Sequence, residues 1–356
     1  MTSHVVDVPE DPSPAKLREP SHGAPGSSGG PARRIPVLPV VVAVLAGLVL
    51  LAIPETARAG YYQYSFITAS ALAIAGLGFY LVYQVGGVTF AQAGFMAIGA
   101  YTSGLLSREL GWNVFLTALV AIAVTVVLGA VIGVLITRAR SEFHFILVTF
   151  AFSEVVRLSL TRWVYGADGI PGIPSPELFG YSFRDPTRYY WLAAVVLLLC
   201  AALVWRLMHS GLGRMLLSVR EGELHLAPSF GIRPETYKVL AFAVASGLAG
   251  LAGAVQAHFT NFASPDQFGL QFSVLILTAA VIGGVGYIAG PIVGALVLIS
   301  LERYLSAYPG TSIVAYGVVL VVVMLLLPEG LVGLVGRIAG LRRFLPGRPS
   351  RKVEQP

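Results

Sequence analysis

Long apolar runs with almost no charged residues recur along the chain between residues 37 and 327. A run of about 18 or more such residues can cross the hydrocarbon core of a bilayer as a helix. A helix also satisfies its own backbone hydrogen bonds in lipid. The pattern therefore predicts an all-α fold, a polytopic membrane helical bundle of about ten transmembrane helices, at 37–53, 64–84, 86–106, 113–137, 143–163, 188–208, 238–259, 269–287, 290–306 and 312–327.

Polar segments at both ends of the chain indicate tails outside this bundle. Residues 1–34 are rich in Pro, Ser and Gly with mixed charge, which is typical of a disordered segment that cannot bury a core. The membrane domain is then 35–328, and a basic tail follows over 329–356. Two connections within the domain are long, at 164–187 and 209–237.

The first apolar run also permits a different interpretation. Arg33 and Arg34 precede it, and Ala57-Arg58-Ala59 follows it, as in a cleaved signal peptide. Against this, the run is long for such a peptide and a 34-residue tail precedes it. Cleavage would leave the rest of the topology unchanged.

The basic residues predict an orientation. With the N-terminus in the cytoplasm, 17 of the 24 Lys and Arg residues fall on the cytoplasmic side, as the positive-inside rule requires. Both tails are then cytoplasmic, the 164–187 loop is external and the 209–237 loop is internal. The seven basic residues left on the outer side are Arg58, Arg108, Arg157, Arg162, Arg184, Arg188 and Arg303.

Composition agrees with a membrane protein. The chain is 56% hydrophobic and 12% charged, against about a quarter charged residues in soluble domains. Its net charge of +6 would suggest a nucleic-acid partner in a soluble protein, but here it reflects the bias that orients membrane helices. We therefore expect contact with membrane lipid and no nucleic-acid partner. The single cysteine, Cys200, lies within an apolar run and can form no disulfide within the chain.

Motifs that would carry chemistry are absent from the sequence. None of the three lysines, Lys16, Lys238 and Lys352, follows a glycine, so no phosphate-binding P-loop can form. There is no Cys/His cluster at metal-ligand spacing and no nucleophile motif. We predict no catalytic residue, no metal and no cofactor, and hence a transporter whose energy comes from another chain or from an ion gradient.

The internal loop carries the clearest amphipathic pattern. From Met215 to about Ala227, apolar and charged positions alternate at helical spacing. Leu216 and Leu217 fall on a face that can lie on the membrane. Such a helix can be an interfacial anchor or a docking lever for a soluble partner, and the chemistry leaves both open. The charged face has Arg220, Glu221 and Glu223, and the helix can be capped by Gly231 with Ile232 packed back on it.

This loop and the span that follows resemble the cytoplasmic loop and helix of branched-chain amino acid ABC importer permeases, the LivM-type subunit of the LivH/LivM permease family. Segments 86–101, 149–158, 166–174 and 264–295 are similar to other parts of that family, so the likeness covers about 80–320. The residues that carry it in the loop are Gly213, Arg214, Leu216, Arg220, Glu221, Glu223, Gly231, Ile232, Tyr237 and Lys238.

The resemblance implies a permease subunit that is not an enzyme. Its partners would be a second permease subunit, two cytosolic ABC ATPase subunits and an extracellular substrate-binding protein, all at the cytoplasmic membrane. The implied cargo is leucine, isoleucine and valine, with urea or short-chain amides as alternatives. A self-contained secondary transporter or channel is a further alternative. The ATPase-coupling residues would be Arg214, Arg220, Glu221, Glu223, Gly231 and Ile232.

One departure from the family pattern affects this loop. The family usually has alanines where this chain has Leu226-Ala227-Pro228, and a proline breaks a helix interior. Either the coupling helix ends near Leu226, or Pro228 lies in the turn before Gly231.

Candidate residues for the translocation path come from two glycine-rich patches and one ion pair. Glycine faces serve either as tight helix contacts or as a pore wall, and both readings stay open. Glu154 and Arg157 are three residues apart and can pair on a helix, either to line a gate or to hold two helices together. The candidates are Gly86, Gly87, Gln92, Gly94, Glu154, Arg157, Gly283, Gly284 and Gly286.

Overall fold

Helices dominate the structure. The computed structural model describes residues 59–137, 142–162, 165–178, 180–220, 234–305 and 330–334. The long helices are α1 Ala59–Gln84, α2 Ala91–Glu109, α3 Val114–Thr137, α4 Glu142–Thr161, α5 Pro186–His209, α6 Gly211–Arg220, α7 Pro234–Thr260, α8 Leu270–Gly283 and α9 Gly290–Leu305.

Five helices in the described part of the chain are long and apolar enough to cross a membrane. They are Tyr62–Gln84, Val114–Leu135, Phe143–Thr161, Pro186–His209 and Glu235–Thr260. These coincide with five predicted spans, 64–84, 113–137, 143–163, 188–208 and 238–259. The predicted spans 37–53 and 312–327 lie outside the described residues. The chain is therefore a multi-pass helical membrane protein.

Two of the other three predicted spans, 86–106 and 269–287, need corrected boundaries. The span predicted from 86 begins only at Ala91, because Gly86 has a φ of +83°, which a helix does not allow. The span predicted over 269–287 ends at Gly283, because Gly284 has a φ of +112°. Helix α8 is thus 14 residues long, or about 21 Å, shorter than a bilayer core of about 30 Å. Helix α9 follows the predicted span 290–306 as far as Leu305, where the described residues of this segment end.

Helix α7 lies at the centre of the bundle and packs against α1, α2 and α3. Small residues make this possible. A Cβ built on Gly99 of α2 would overlap the carbonyl oxygen of Gly250, and one on Gly253 would overlap that of Met96. One turn before Gly250 on α7, a Cβ on Gly129 of α3 would overlap Ser246. Membrane helices associate through such close backbone contacts, since lipid supplies no hydrophobic drive between them.

Short strands and turns gather at one end of the bundle. We call this the loop end; it comprises residues 110–113, 165–185 and 261–269. Strand β1 Ile170–Pro171 pairs antiparallel with β4 Phe262–Ala263, and β2 Glu177–Leu178 forms a hairpin with β3 Tyr181–Ser182. Asn261, at a φ of +54°, donates from Nδ2 to the Ile173 carbonyl oxygen at 2.7 Å. The loop after α4 is therefore fastened to the end of α7.

Candidate functional site

The start of α2 is fixed by side chains from two other helices. The backbone N–H of Phe90 donates to Thr149 Oγ1 of α4 at 3.2 Å. Ser273 Oγ of α8 donates to the Phe90 carbonyl oxygen at 2.8 Å. Thr149 lies seven residues into α4, about 10 Å along it. The non-helical residues 85–90 thus lie at membrane depth, where such backbone is tolerated when it is buried in protein or lines a cavity.

The four candidates of the first glycine patch lie around this start. Gly86 is exposed, and a Cβ built there would meet no atom within 4 Å. A Cβ on Gly87 would lie 2.9 Å from the Phe145 ring, and one on Gly94 would lie 3.0 Å from the Ser153 Cα. Both glycines therefore contact α4, as closely packed helices do.

Gln92 is the one polar candidate in that patch. Its side chain is 2% exposed, and its Oε1 has no hydrogen-bond partner among the described residues. A Cβ built on Gly78 of α1 would lie 3.1 Å from that oxygen. Gln92 thus faces α1, away from the α4 contacts of Gly87 and Gly94. Burying an amide oxygen without a hydrogen-bond partner costs free energy. A substrate or a water molecule that donates a hydrogen bond to Gln92 Oε1 would remove that cost.

The second glycine patch forms the turn between α8 and α9. A Cβ on Gly283 would overlap the carbonyl of Gly290, so the two helices meet backbone to backbone. Gly284 is buried against Gly330. Gly286 is exposed, with no atom within 4 Å of a Cβ built there. Residues 330–334, at the start of the segment interpreted as a tail, are helical in the structure.

The structure brings the two glycine patches together. Gln84, at the end of α1, donates from Nε2 to the Val285 carbonyl oxygen at 3.3 Å. Together with the bond from Ser273 to Phe90, this contact places the turns at 85–90 and 284–289 side by side. Sequence reasoning missed Phe90, Thr149 and Ser273, although Thr149 opens the segment 149–158 that carried part of the family resemblance. Whether substrate passes along these turns stays a prediction.

Glu154 and Arg157 form an ion pair that includes a third residue. Arg157 Nε donates to Glu154 Oε1 at 3.0 Å, and its Nη1 donates to Asp266 Oδ1 at 3.0 Å. Asp266 belongs to the 3₁₀ helix Pro265–Phe268 and its side chain is 76% exposed. The cluster therefore fastens α4 to the segment before α8. This geometry favours the interpretation of the pair as a link between elements over that of a free charged gate.

Helix α6 contains the first part of the predicted coupling segment. It begins at Gly211, earlier than the predicted Met215, and its Gly213 packs against the Met208 carbonyl at the end of α5. The amphipathic pattern allowed Leu216 to lie on the membrane, but its side chain is 1% exposed and buried within the protein. Arg214 is exposed. Glu221, Glu223, Gly231 and Ile232 lie outside the described residues, and Arg220 is the last residue of the described helix.

A buried network of hydrogen-bonded side chains connects the loop end to the helical bundle. His258 Nδ1 lies 2.7 Å from the carbonyl oxygen of Pro174, which can only accept, so Nδ1 carries the proton. His258 Nε2 lies 2.8 Å from Ser103 Oγ, which lies 2.8 Å from Thr117 Oγ1. This network joins α7, α2 and α3 to the loop after α4. His258 is thereby a structural residue of the bundle.

Tyr165 holds the same loop to the end of α2. Its hydroxyl donates to Glu109 Oε1, and the Arg108 guanidinium lies 4.9 Å from the centre of its ring. The hydrogen bond to Glu109 is the main cause that raises the pKa of Tyr165 above its usual value. Arg108 and Glu109 also lie 3.8 Å apart, so both charges already have partners.

An open cleft of ≈ 740 Å³ lies at the loop end. We call it the loop-end cleft. Its volume falls in the range of small-molecule sites. Asn113 Nδ2 donates to the Glu177 carbonyl oxygen at 3.2 Å, which ties the hairpin to the start of α3 across this cleft. Residues that line it include Trp112, Val114, Ile173, Glu177, Ser182 and Arg184.

Comparisons with known proteins point to one family. Residues 61–328 match the family described as the branched-chain amino acid transport system permease component. The chain is 30% identical to the high-affinity branched-chain amino acid transport system permease protein LivM of Salmonella typhimurium over 285 residues, which cover 72% of this chain and 67% of that protein.

Of two more distant relatives, one is named for the same cargo as LivM and the other for a different one. The chain is 26% identical over 290 residues to the LivH permease of the same kind of system in Escherichia coli, covering 74% of this chain and 92% of LivH. It is 27% identical over 278 residues to the autoinducer 2 import system permease LsrC of Yersinia pseudotuberculosis, covering 74% and 76%. No solved structure matches the chain.

Proposed function

Because the chain belongs to the branched-chain amino acid transport permease family, we propose that it is the permease subunit of an ATP-driven importer for leucine, isoleucine and valine. The observation that carries the proposal is the LivM likeness, which extends over 72% of the chain. Five spanning helices agree with it. The chain is a transport permease, and ATP hydrolysis is assigned to a separate subunit since the sequence has no P-loop.

The identity of the transported molecule is the part of the proposal for which the relatives offer an alternative. The LsrC relative is named for autoinducer 2 import, so the family includes permeases for other small molecules. Urea or short-chain amides are the alternatives that fit the same architecture. The identity to LivM is higher than that to LsrC, and it favours branched-chain amino acids.

A self-contained secondary transporter would need a free carboxylate to couple an ion. Glu154, the one candidate that the sequence offered, is held by Arg157 in the structure. Arg157 in turn is shared with Asp266. An engaged carboxylate is a poor coupling group, and this favours the ATP-driven importer.

The proposed arrangement places about ten spans in the cytoplasmic (inner) membrane. Both tails, 1–34 and 329–356, and the 209–237 loop would be cytoplasmic, and the 164–187 loop would be external. A second permease subunit would complete the path, and two ABC ATPases would seat α6 and the residues after it. An extracellular substrate-binding protein would deliver the amino acid at the loop end.

The coupling step follows from how α6 is held. Helix α6 packs against α5, α7 and α1, with Leu216 as its buried anchor. A displacement of α6 by closing ATPases would therefore move the start of α7. Since α7 packs on α1, α2 and α3, the movement would reach the turn at 85–90.

Reconstitution tests the proposal directly. The test system is a vesicle that contains this chain, a LivH-type permease, the two ATPases and the binding protein. Such vesicles should accumulate leucine when ATP is supplied on the side of the membrane where the ATPases lie. Vesicles with this chain alone should neither hydrolyse ATP nor concentrate leucine. Accumulation by the chain alone would refute the proposal, and co-purification of the binding protein with its ligand would identify the cargo.

Reporter fusions test the orientation. A fusion after Arg214 is expected to report a cytoplasmic location, and a fusion at Gly172, an exposed turn of the loop end, an external one. The physical reason is the excess of basic residues that we place inside. Paired phosphatase and fluorescent-protein reporters measure the two sides independently. The opposite readings would reverse the assignment of both ends.

A further inference from the structure

Two opposite charges line the loop-end cleft without an ion-pair partner. Glu177 and Arg184 are both exposed and both line the cleft. Ion pairs in the described residues involve Arg108 with Glu109, and Arg157 with Glu154 and Asp266. Neither Glu177 nor Arg184 takes part in them.

The hairpin places these two charges on one face. Glu177 is the register partner of Ser182, and the ladder continues with a hydrogen bond from the Phe183 N–H to the Pro176 carbonyl oxygen at 2.9 Å. Arg184 follows two residues after Ser182, the last residue of β3, and one further step of the ladder would place it diagonal to Glu177. Diagonal neighbours have Cα atoms about 7–8 Å apart. Both residues line the same cleft, so one small molecule in it could meet both.

The rest of the cleft suits an aliphatic molecule with polar groups at one end. Val114 and Ile173 are buried apolar residues and Trp112 adds an indole ring. Ser182 adds a hydroxyl near the hairpin, whereas the Asn113 amide already binds the Glu177 carbonyl oxygen and the Phe115 N–H. A guanidinium pairs well with a carboxylate, and a carboxylate pairs well with an ammonium group. A zwitterion satisfies both charges at once.

We infer that the loop-end cleft binds a zwitterionic α-amino acid, with Glu177 facing its ammonium group and Arg184 its carboxylate. The inference rests on the proposed function, which places the loop end outside and an amino acid there. The cleft is then a receiving site between the binding protein and the membrane path. It would hold the amino acid weakly, because both charges remain open to solvent.

The test is ligand-observed NMR on the purified full-length chain in nanodiscs. Three probes are used: leucine, N-acetyl-leucine, which lacks the ammonium charge, and leucinamide, which lacks the carboxylate. The wild-type chain should prefer leucine to each analogue about fivefold, the upper range for one exposed charge pair. Glu177→Gln should remove the preference over N-acetyl-leucine alone, and Arg184→Gln the preference over leucinamide alone.

Matched controls are available in the same region. Asp168 and Arg162 are exposed and do not line the cleft, so Asp168→Asn and Arg162→Gln should leave all preferences unchanged. Size-exclusion profiles check that each variant is folded. Equal binding of the three probes to the wild-type chain overturns the inference, as does leucine binding that both variants retain in full.

Uptake by the complete importer separates this inference from the proposed function. Suppose that the importer carries leucine but the cleft variants bind all probes like the wild type. This result refutes amino-acid binding in the cleft and leaves the proposed function unaffected. An importer that carries no leucine, with or without the variants, refutes the function itself.

Discussion

Replacing Gly99 with leucine is expected to abolish the folded protein. A single Cβ at this position already overlaps the carbonyl oxygen of Gly250 in α7, and leucine adds three further carbons. A shift of α7 away from α2 would disturb its packing against α1 and α3. Overpacking typically costs about 1–3 kcal/mol and occasionally more, and a clash between two backbones belongs at the upper end. The measurement is the monodisperse fraction after detergent extraction, with the thermal midpoint of what remains; Gly99→Ala should give an intermediate loss.

Gly60 provides the matched control for this experiment. It also lies in a membrane helix, α1, but it is exposed and a Cβ built there meets nothing within 4 Å. Gly60→Leu should therefore leave the yield and the midpoint near those of the wild type. If the two leucine variants proved equally stable, the close contact between α2 and α7 would not be what holds the bundle together.

Changing Glu221 and Glu223 together to alanine is expected to reduce uptake at least tenfold while the protein still inserts and folds. Both residues follow the last described residue of α6, Arg220. Helix α6 is anchored by Leu216 and by the Gly213 contact with Met208, so under the proposed coupling a force applied just beyond it would reach α7. Losing two carboxylates removes the charge contacts proposed for the ATPase groove. ATP hydrolysis by the assembled complex should continue, but without leucine accumulation.

A nearby carboxylate serves as the control. Glu235 is exposed at the start of α7 and lies outside the proposed coupling residues. Glu235→Ala should import leucine at the wild-type rate, with hydrolysis and uptake measured in the same vesicles. Normal uptake by the Glu221/Glu223 double variant would remove the docking role from this segment.

The long helices were predictable because their apolar runs exceed what a soluble core can hold. The span 113–137 holds no charged residue, and α3 matches it within one residue. The start of α2 and the end of α8 were not predictable in this way, because apolar residues continue through the turns next to both. In both places a glycine at positive φ interrupts the backbone, Gly86 after α1 and Gly284 after α8, and a glycine in an apolar run can also pack inside a membrane helix.

The candidate sites were predictable in part. The pairing of Glu154 with Arg157 followed from their helical spacing, whereas Asp266 lies 109 residues from Arg157 in sequence and only the fold brings it near. The sequence left the cover of Leu216 open, because an amphipathic pattern does not reveal whether lipid or protein covers the apolar face. The loop-end cleft depends on hairpin register and on long-range contacts such as Asn113 with Glu177, and no local pattern encodes these.

The burial of Cys200 has a practical consequence for spectroscopy. It is the only thiol in the chain, and its side chain is 5% exposed. Water-borne maleimides react with thiolates that they can reach, so the native residue can remain in place while a cysteine introduced at Gly172 or Asp168 carries a spin label or a fluorophore. Distances across the loop end can then be followed through the transport cycle without rebuilding the interior of α5.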